Sequence, residues 1–210
     1  MKMTVKEVFP IIFYEFKFSK EQILPICEEI AAKKTEIKKR YEDSDIDKIK
    51  KIDYWTDFGR FGRPIELVQY ENLVVKEISS QYLPEMQCEH VVHWTAIYEE
   101  MGYHGAHNHS PMLHDAPTCN MSSILYLSDI GYTEFLNPKL DAATCRSFLI
   151  SSQVGKMIMF PSHVLHRALP HGKKDEEKII VSSNWKLYDS PDLISLVKGV
   201  QDILNIVPEK

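Results

Sequence analysis

"KMIMFPSHVLHRALPHGKKDEEKIIVSSNW", residues 156–185, decides the fold. Its two ends are short runs of apolar, aromatic and β-branched residues, and what separates them is a Pro turn and a charged loop with no helical period. The same texture extends backward through "RSFLIS", "YTEFL", "SSILYLS" and "HVVHWTAIY" to Glu89. Six or more short strands without intervening helices predict a mainly β fold with flanking helices, its core a double-stranded β-helix of the jelly-roll type.

The residues before this core read as support. "FPIIFYEFKF" is strand-like, and "SKEQILPICEEIAAKKTEIKKRY" is an amphipathic helix with Ser19 as N-cap and Ile23, Ile26, Cys27 and Ile30 on one face. Its charge-rich end is a solvated face. "DYWTDFGRFGRP" reads as a loop, and Leu67, Tyr70, Val74 and Ile78 recur at helical spacing to give a second support helix. At the other end, "SPDLISLVKGVQDILNIV" predicts a helix capped by Ser190, with Pro191 in its first turn. The expected organisation is one domain over residues 1–210: support in 1–88, the jelly roll in 89–187 and a C-terminal helix in 188–210.

Composition narrows the function. A net charge of -5 with interspersed signs provides no basic stripe, which argues against nucleic acid as partner. The N-terminal apolar run is broken by Pro10, Glu15 and Lys17, and no run reaches the length of a membrane span. Cys27, Cys88, Cys119 and Cys145 are widely spaced with no CxxC pair, so free thiols in a reducing, cytoplasmic setting are expected.

All nine histidines fall between His90 and His171, and four of them stand in "HGAHNHSPMLHD", residues 104–115. His107 and His109 form an H-x-H unit, whose imidazoles face the same side in extended chain and can share one ion. A third ligand has to come from elsewhere. His166, after a strand and a Pro turn, is the candidate, with His163 as competitor. His90, His93, His104, His114 and His171 read as structural or surface histidines. No G-x-S-x-G occurs and no Cys adjoins a His in an activating pattern, so no nucleophile is assigned.

The ordered set Tyr98, His107-x-His109, "ILYLSD" with Tyr126, "GYTEFLNP", "GKMIMFPS", His166 and Lys178 resembles the Fe(II)- and 2-oxoglutarate-dependent oxygenases, in particular their prolyl-hydroxylase-like branch. The resemblance spans roughly Trp94 to Trp185. It implies iron on His107 and His166, and a charge-assisted bond from Lys178 to the distal carboxylate of 2-oxoglutarate. It further implies Tyr126 on that same carboxylate and Tyr98 at the chelating end. Ser182 becomes a polar neighbour of the co-substrate, because Lys178, Ser182 and Asn184 share a face by period-two alternation. Arg167 is the rival of Lys178 but adjoins the ligand and should point away.

One departure sits in the opening motif: the family pattern has Asp or Glu where this chain has His109. Either the site uses three histidines, or a nearby carboxylate, Asp115 being the most available, completes it. The implied activity is hydroxylation of an unactivated C–H bond of a small-molecule or peptidyl substrate, with release of succinate and CO2. Fe(II) and 2-oxoglutarate are the implied cofactor and co-substrate, with ascorbate as an accessory. "FGRFGRP" and "SPMLHDAPTCN" are candidate lids by analogy of fold. Two alternatives remain open at this level: a cupin-like three-histidine metalloenzyme that does not use 2-oxoglutarate, and a non-catalytic binding module on the same barrel.

Overall fold

The computed structural model describes residues 11–42, 54–57, 64–81, 86–109, 119–137 and 147–189. Its strands are β1 (Tyr14–Lys17), β2 (Trp55–Thr56), β3 (Met86–Tyr98), β4 (His104–His107), β5 (Met121–Tyr126), β6 (Tyr132–Leu136), β7 (Ser147–Ser151), β8 (Lys156–Pro161), β9 (His166–Ala168) and β10 (Lys178–Asp189). Six of them form one sheet in the order β1-β8-β5-β10-β3-β2 and four form a second in the order β4-β9-β6-β7. Every pairing is antiparallel. This is the jelly-roll core that the strand texture predicts.

The larger sheet is buried on both faces, and alternation along its strands sorts the side chains. Val181 and Trp185 of β10, Met121 and Leu125 of β5, and Met157 and Met159 of β8 pack toward the helices. Ile180, Ile124, Tyr126, Ile158 and Phe160 belong to the second apolar cluster, which also takes in Phe135 of the smaller sheet. Period two thus divides each central strand between a helix-facing and an interior set.

Helix α1 (Lys20–Glu42) begins as its sequence predicts. Ser19 N–H donates to Gln22 Oε1 at 2.8 Å and Gln22 N–H to Ser19 Oγ at 3.3 Å, a reciprocal capping box. Ile23, Ile26, Ile30 and Ile37 are buried, each such side chain contributing about 1.5–3 kcal/mol. The second support helix is continuous but not uniform: α2 (Val68–Tyr70) runs into a π-helical turn, Glu71–Val75, and then α3 (Lys76–Gln81). Leu67, Tyr70, Val74 and Ile78 are all buried against the sheet. Leu67 N–H donates to His93 Nε2 at 3.2 Å, the structural role expected of that histidine.

Several boundaries differ from the sequence reading. The supposed loop around Trp55 contains β2, which pairs with β3 through Trp55↔Ile97. A two-residue strand carries too little pattern to announce itself, and it exists because β3 offers an edge. With β1 and β2 both in the larger sheet, the N-terminal part supplies strands as well as support. Strand β3 starts at Met86 and β10 runs through Asp189, so Tyr188 and Asp189 are extended. The predicted helix beyond them, the segments "FGRFGR" and "SPMLHDAP", Asp115, His114 and Cys145 lie outside the described residues. Cys27, Cys88 and Cys119 are free thiols. Among the described residues no helix is long and apolar enough to cross a membrane.

The turn into β8 depends on one glycine. Gly155 has φ +85°, and a Cβ there would stand 2.1 Å from the Phe18 carbonyl oxygen. Its own groups are tied on both sides: Phe18 N–H donates to Gly155 O at 2.8 Å, and Gly155 N–H to Tyr126 O at 2.9 Å. Gly155→Ala is therefore expected to cost about 3 kcal/mol, lowering the melting temperature by roughly 6–12 °C in calorimetry.

Candidate metal centre

The antiparallel register of β4 and β9 sets His107 directly across from His166. That pairing is how a residue far along the chain arrives beside the H-x-H unit. His109 lies two residues past the end of β4, where its N–H donates to Ser162 O at 2.9 Å and carries the chain over to the larger sheet. Ring centroids are 4.3 Å apart for His107 and His166, 5.1 Å for His107 and His109, and 5.0 Å for His109 and His166. One ligand nitrogen from each ring lies within 4.8 Å of the others. Among the described residues this is the group of three or more potential ligand side chains that could hold a metal ion.

The hydrogen bonds on the outer ring nitrogens prepare this cluster. His107 Nδ1 is 2.8 Å from Gly105 O and His166 Nδ1 is 3.0 Å from Val164 O. A carbonyl oxygen can only accept, so each neutral ring carries its proton on Nδ1 and keeps the Nε2 lone pair for a ligand. His109 Nδ1 contacts Ser122 Oγ and Asn184 Oδ1, each at 2.9 Å. Burial, and secondarily the neighbouring His107, depresses the His109 imidazole to about 4. Burial and then His107 and His109 hold His166 well below the usual histidine range. Both rings are consequently neutral at pH 7, the form in which imidazole binds a metal.

His163, the competitor, is exposed, whereas His166 is 3% exposed. Alternation along β9 also settles Arg167, whose guanidinium turns outward to Glu134. His104 stacks on His107 with centroids 3.8 Å apart, and Tyr54 stacks on Tyr98 at 4.9 Å and lies tilted against His104 at 4.7 Å.

Lys178 is completely buried. Its Nζ donates to Tyr132 O at 2.7 Å and lies 5.5 Å from the Tyr98 ring centroid. Among the described residues no carboxylate pairs with it, and burial pushes its ammonium down to about 7. The β3–β10 register sets Tyr98 across from Lys178, and its ring stacks on Tyr54, which in turn lies against His104. Tyr126 is buried with its hydroxyl donating to Thr133 Oγ1 at 2.9 Å. Ser182 is buried on the strand face shared by Lys178, Ile180 and Asn184.

Asn184, Ser122 and Ser162 join the site without a sequence motif that assigns them to it. Period-two alternation put Asn184 on the correct face, but no local pattern marks the two serines, which reach His109 only through sheet pairing.

A prolyl 4-hydroxylase from Pseudomonas putida superposes with a TM-score of 0.56 at 13% identity, covering 83% of this chain and 91% of that one. This chain has the prolyl 4-hydroxylase-like oxygenase fold. A Trichoplax adhaerens prolyl hydroxylase, in complex with a peptide fragment of the hypoxia-inducible factor oxygen degradation domain, gives 0.54 at 11% identity, with 83% of each chain covered. The viral collagen prolyl hydroxylase of Paramecium Bursaria Chlorella virus-1, in its 2-oxoglutarate complex, gives 0.50 at 17% identity over 82% of this chain and 94% of that one. No protein-family model and no curated protein sequence matches the chain.

Proposed function

We propose that this chain is an Fe(II)- and 2-oxoglutarate-dependent oxygenase that hydroxylates a C–H bond of a small-molecule or peptidyl substrate. The observation that carries this reading is Lys178, a fully buried cation without a carboxylate partner among the described residues, on the interior face of the strand whose Asn184 touches His109. A buried ammonium whose partners are one carbonyl oxygen and an aromatic face is costly unless an anion joins it. A dicarboxylate co-substrate answers that need, and a cupin-like three-histidine enzyme without 2-oxoglutarate would have no use for it.

His107, His109 and His166 fit a ferrous ion by the chemistry of their donors: three neutral imidazoles on one side leave the other positions open. Bound there, iron supplies the oxygen chemistry that couples 2-oxoglutarate, O2 and R–H to succinate, CO2 and R–OH. The residues of the chain do the rest. Lys178 holds the distal carboxylate, with Tyr126 and Ser182 proposed as its polar neighbours, while Ile124, Ile158, Phe160 and Ile180 exclude water from the interior. The peptide-bound and collagen-acting neighbours support a peptidyl substrate as one member of the class.

Anaerobic addition of 2-oxoglutarate to the Fe(II)-loaded protein should produce a weak visible charge-transfer band. A wild type that stays colourless under saturating co-substrate would count against the assignment. The affinity should also depend on pH. Lys178 with its ammonium near 7 must be protonated to pair with the carboxylate, so binding takes up a proton above pH 7 and weakens about tenfold per unit of further rise. Calorimetry in buffers of different ionisation enthalpy reads this uptake directly.

A further inference from the structure

The three histidines are not held alike. His107 and His166 are each anchored by a backbone carbonyl within their own segment, whereas His109 is anchored by side chains from two other strands. We infer that Asn184, assisted by Ser122, is the positioning residue that makes His109 a metal-binding imidazole, by fixing its proton on Nδ1 and releasing Nε2 to the site. This deepens the reading above and rests on it for the role of Nε2.

The proton directions follow from the contacts. Ser122 Oγ donates to Asn184 Oδ1 at 3.0 Å, and the same oxygen lies 2.9 Å from His109 Nδ1. An amide oxygen has two lone pairs and no proton, so it accepts from both. Behind it the network closes. Ser162 Oγ donates to Ser122 Oγ at 2.9 Å, since the Ser122 proton is committed to Asn184, and Cys119 Sγ donates to the His109 carbonyl at 3.3 Å. Ser122 and Ser162 are buried, so water does not compete for these positions.

The backbone aims Asn184 at this spot. Asn184 and Ser122 are direct partners in the unbroken register of β10 with β5, and period-two alternation puts Asn184 on the interior face with Ser182, while the extra residue of the neighbouring β-bulge, Val91, belongs to β3. The need for such a partner is chemical. A carboxylate ligand has two equivalent oxygens and no tautomers, but a histidine in that place binds a metal through Nε2 only when its proton is held on the other nitrogen.

The test reads the tautomer without metal and the affinity with it. Long-range 1H–15N NMR on the metal-free wild type should show His109 as the Nδ1–H form. Finding it as Nε2–H would overturn the proposal, whatever the variants do. In Asn184→Leu the Ser122 hydroxyl loses its acceptor and turns to donate to Nδ1, so His109 should shift toward Nε2–H and Co(II) affinity should fall about 10- to 100-fold. Asn184→Asp keeps an accepting oxygen and should retain both the tautomer and Co(II) affinity within a few fold. An Asn184→Leu protein that keeps Nδ1–H and wild-type Co(II) affinity refutes the inference. A wild type that binds no Co(II) or Fe(II) sinks the metal reading separately, while the tautomer still decides what Asn184 does.

Discussion

His166→Ala is expected to lower Fe(II) or Co(II) affinity by roughly 100-fold or more and to eliminate the charge-transfer band with 2-oxoglutarate. His166 is the ligand that ties the two halves of the site together. It comes from β9, stands opposite His107, and is the most buried of the three rings. Its loss leaves the H-x-H pair without the third nitrogen that closes one face of the ion. The ring also packs on Phe160 at 4.8 Å and Phe135 at 5.8 Å, so alanine leaves a void in the interior cluster. His166→Gln preserves most of that volume and separates the two effects. A Gln variant with wild-type melting temperature and the same loss of metal affinity establishes His166 as a ligand; Co(II) affinity within twofold of wild type in both variants would remove it from the site.

Lys178→Met carries the second large expectation, with two readouts of opposite sign. Affinity for 2-oxoglutarate should fall by at least about 100-fold, because a buried charge-assisted pair loses one partner and leaves the other desolvated. The ligand-free protein should become more stable at neutral pH. The sign follows from proton counting. Lys178 has an ordinary value of 10.5 in the unfolded chain and about 7 in the folded one, so between those limits the unfolded state binds more protons. Wild-type stability therefore falls as pH drops from 10.5 to 7, and below 7 the full cost is present, on the order of a few kcal/mol. Methionine fills the space without a charge and should remove that slope. Thermal melts at pH 7 and pH 10, with and without 2-oxoglutarate, check both halves. A Met variant that binds the co-substrate as the wild type does would favour a metalloenzyme that makes no use of 2-oxoglutarate.

How the site could be read in the sequence depended on how local each signal was. The H-x-H unit is a two-residue repeat and was visible as such. His166 was preferred to His163 on its place after a strand and Pro turn, and the alternation of β9 buries it while exposing Arg167 on its other face. Strand β4 was less visible. "HGAH" has little β character, and it is extended because β9 pairs with it. The resemblance implies Tyr98 at the chelating end, while its place across from Lys178 is legible only in the β3–β10 register.

Local pattern was enough for the periodicities: the capped isoleucine face of α1, the helix-spaced Leu67, Tyr70, Val74 and Ile78, the alternating strands of the core, and the histidine pair. These depend on neighbours within a few residues, where backbone geometry leaves few choices. Tertiary structure decided which strands meet and in what register. That brought His166 to His107, buried Lys178 without a described carboxylate partner, and turned Asn184 toward His109. Each of these joins residues distant in the chain, and the free energy that selects them comes from closing two sheets on a common interior, which no short window of sequence contains.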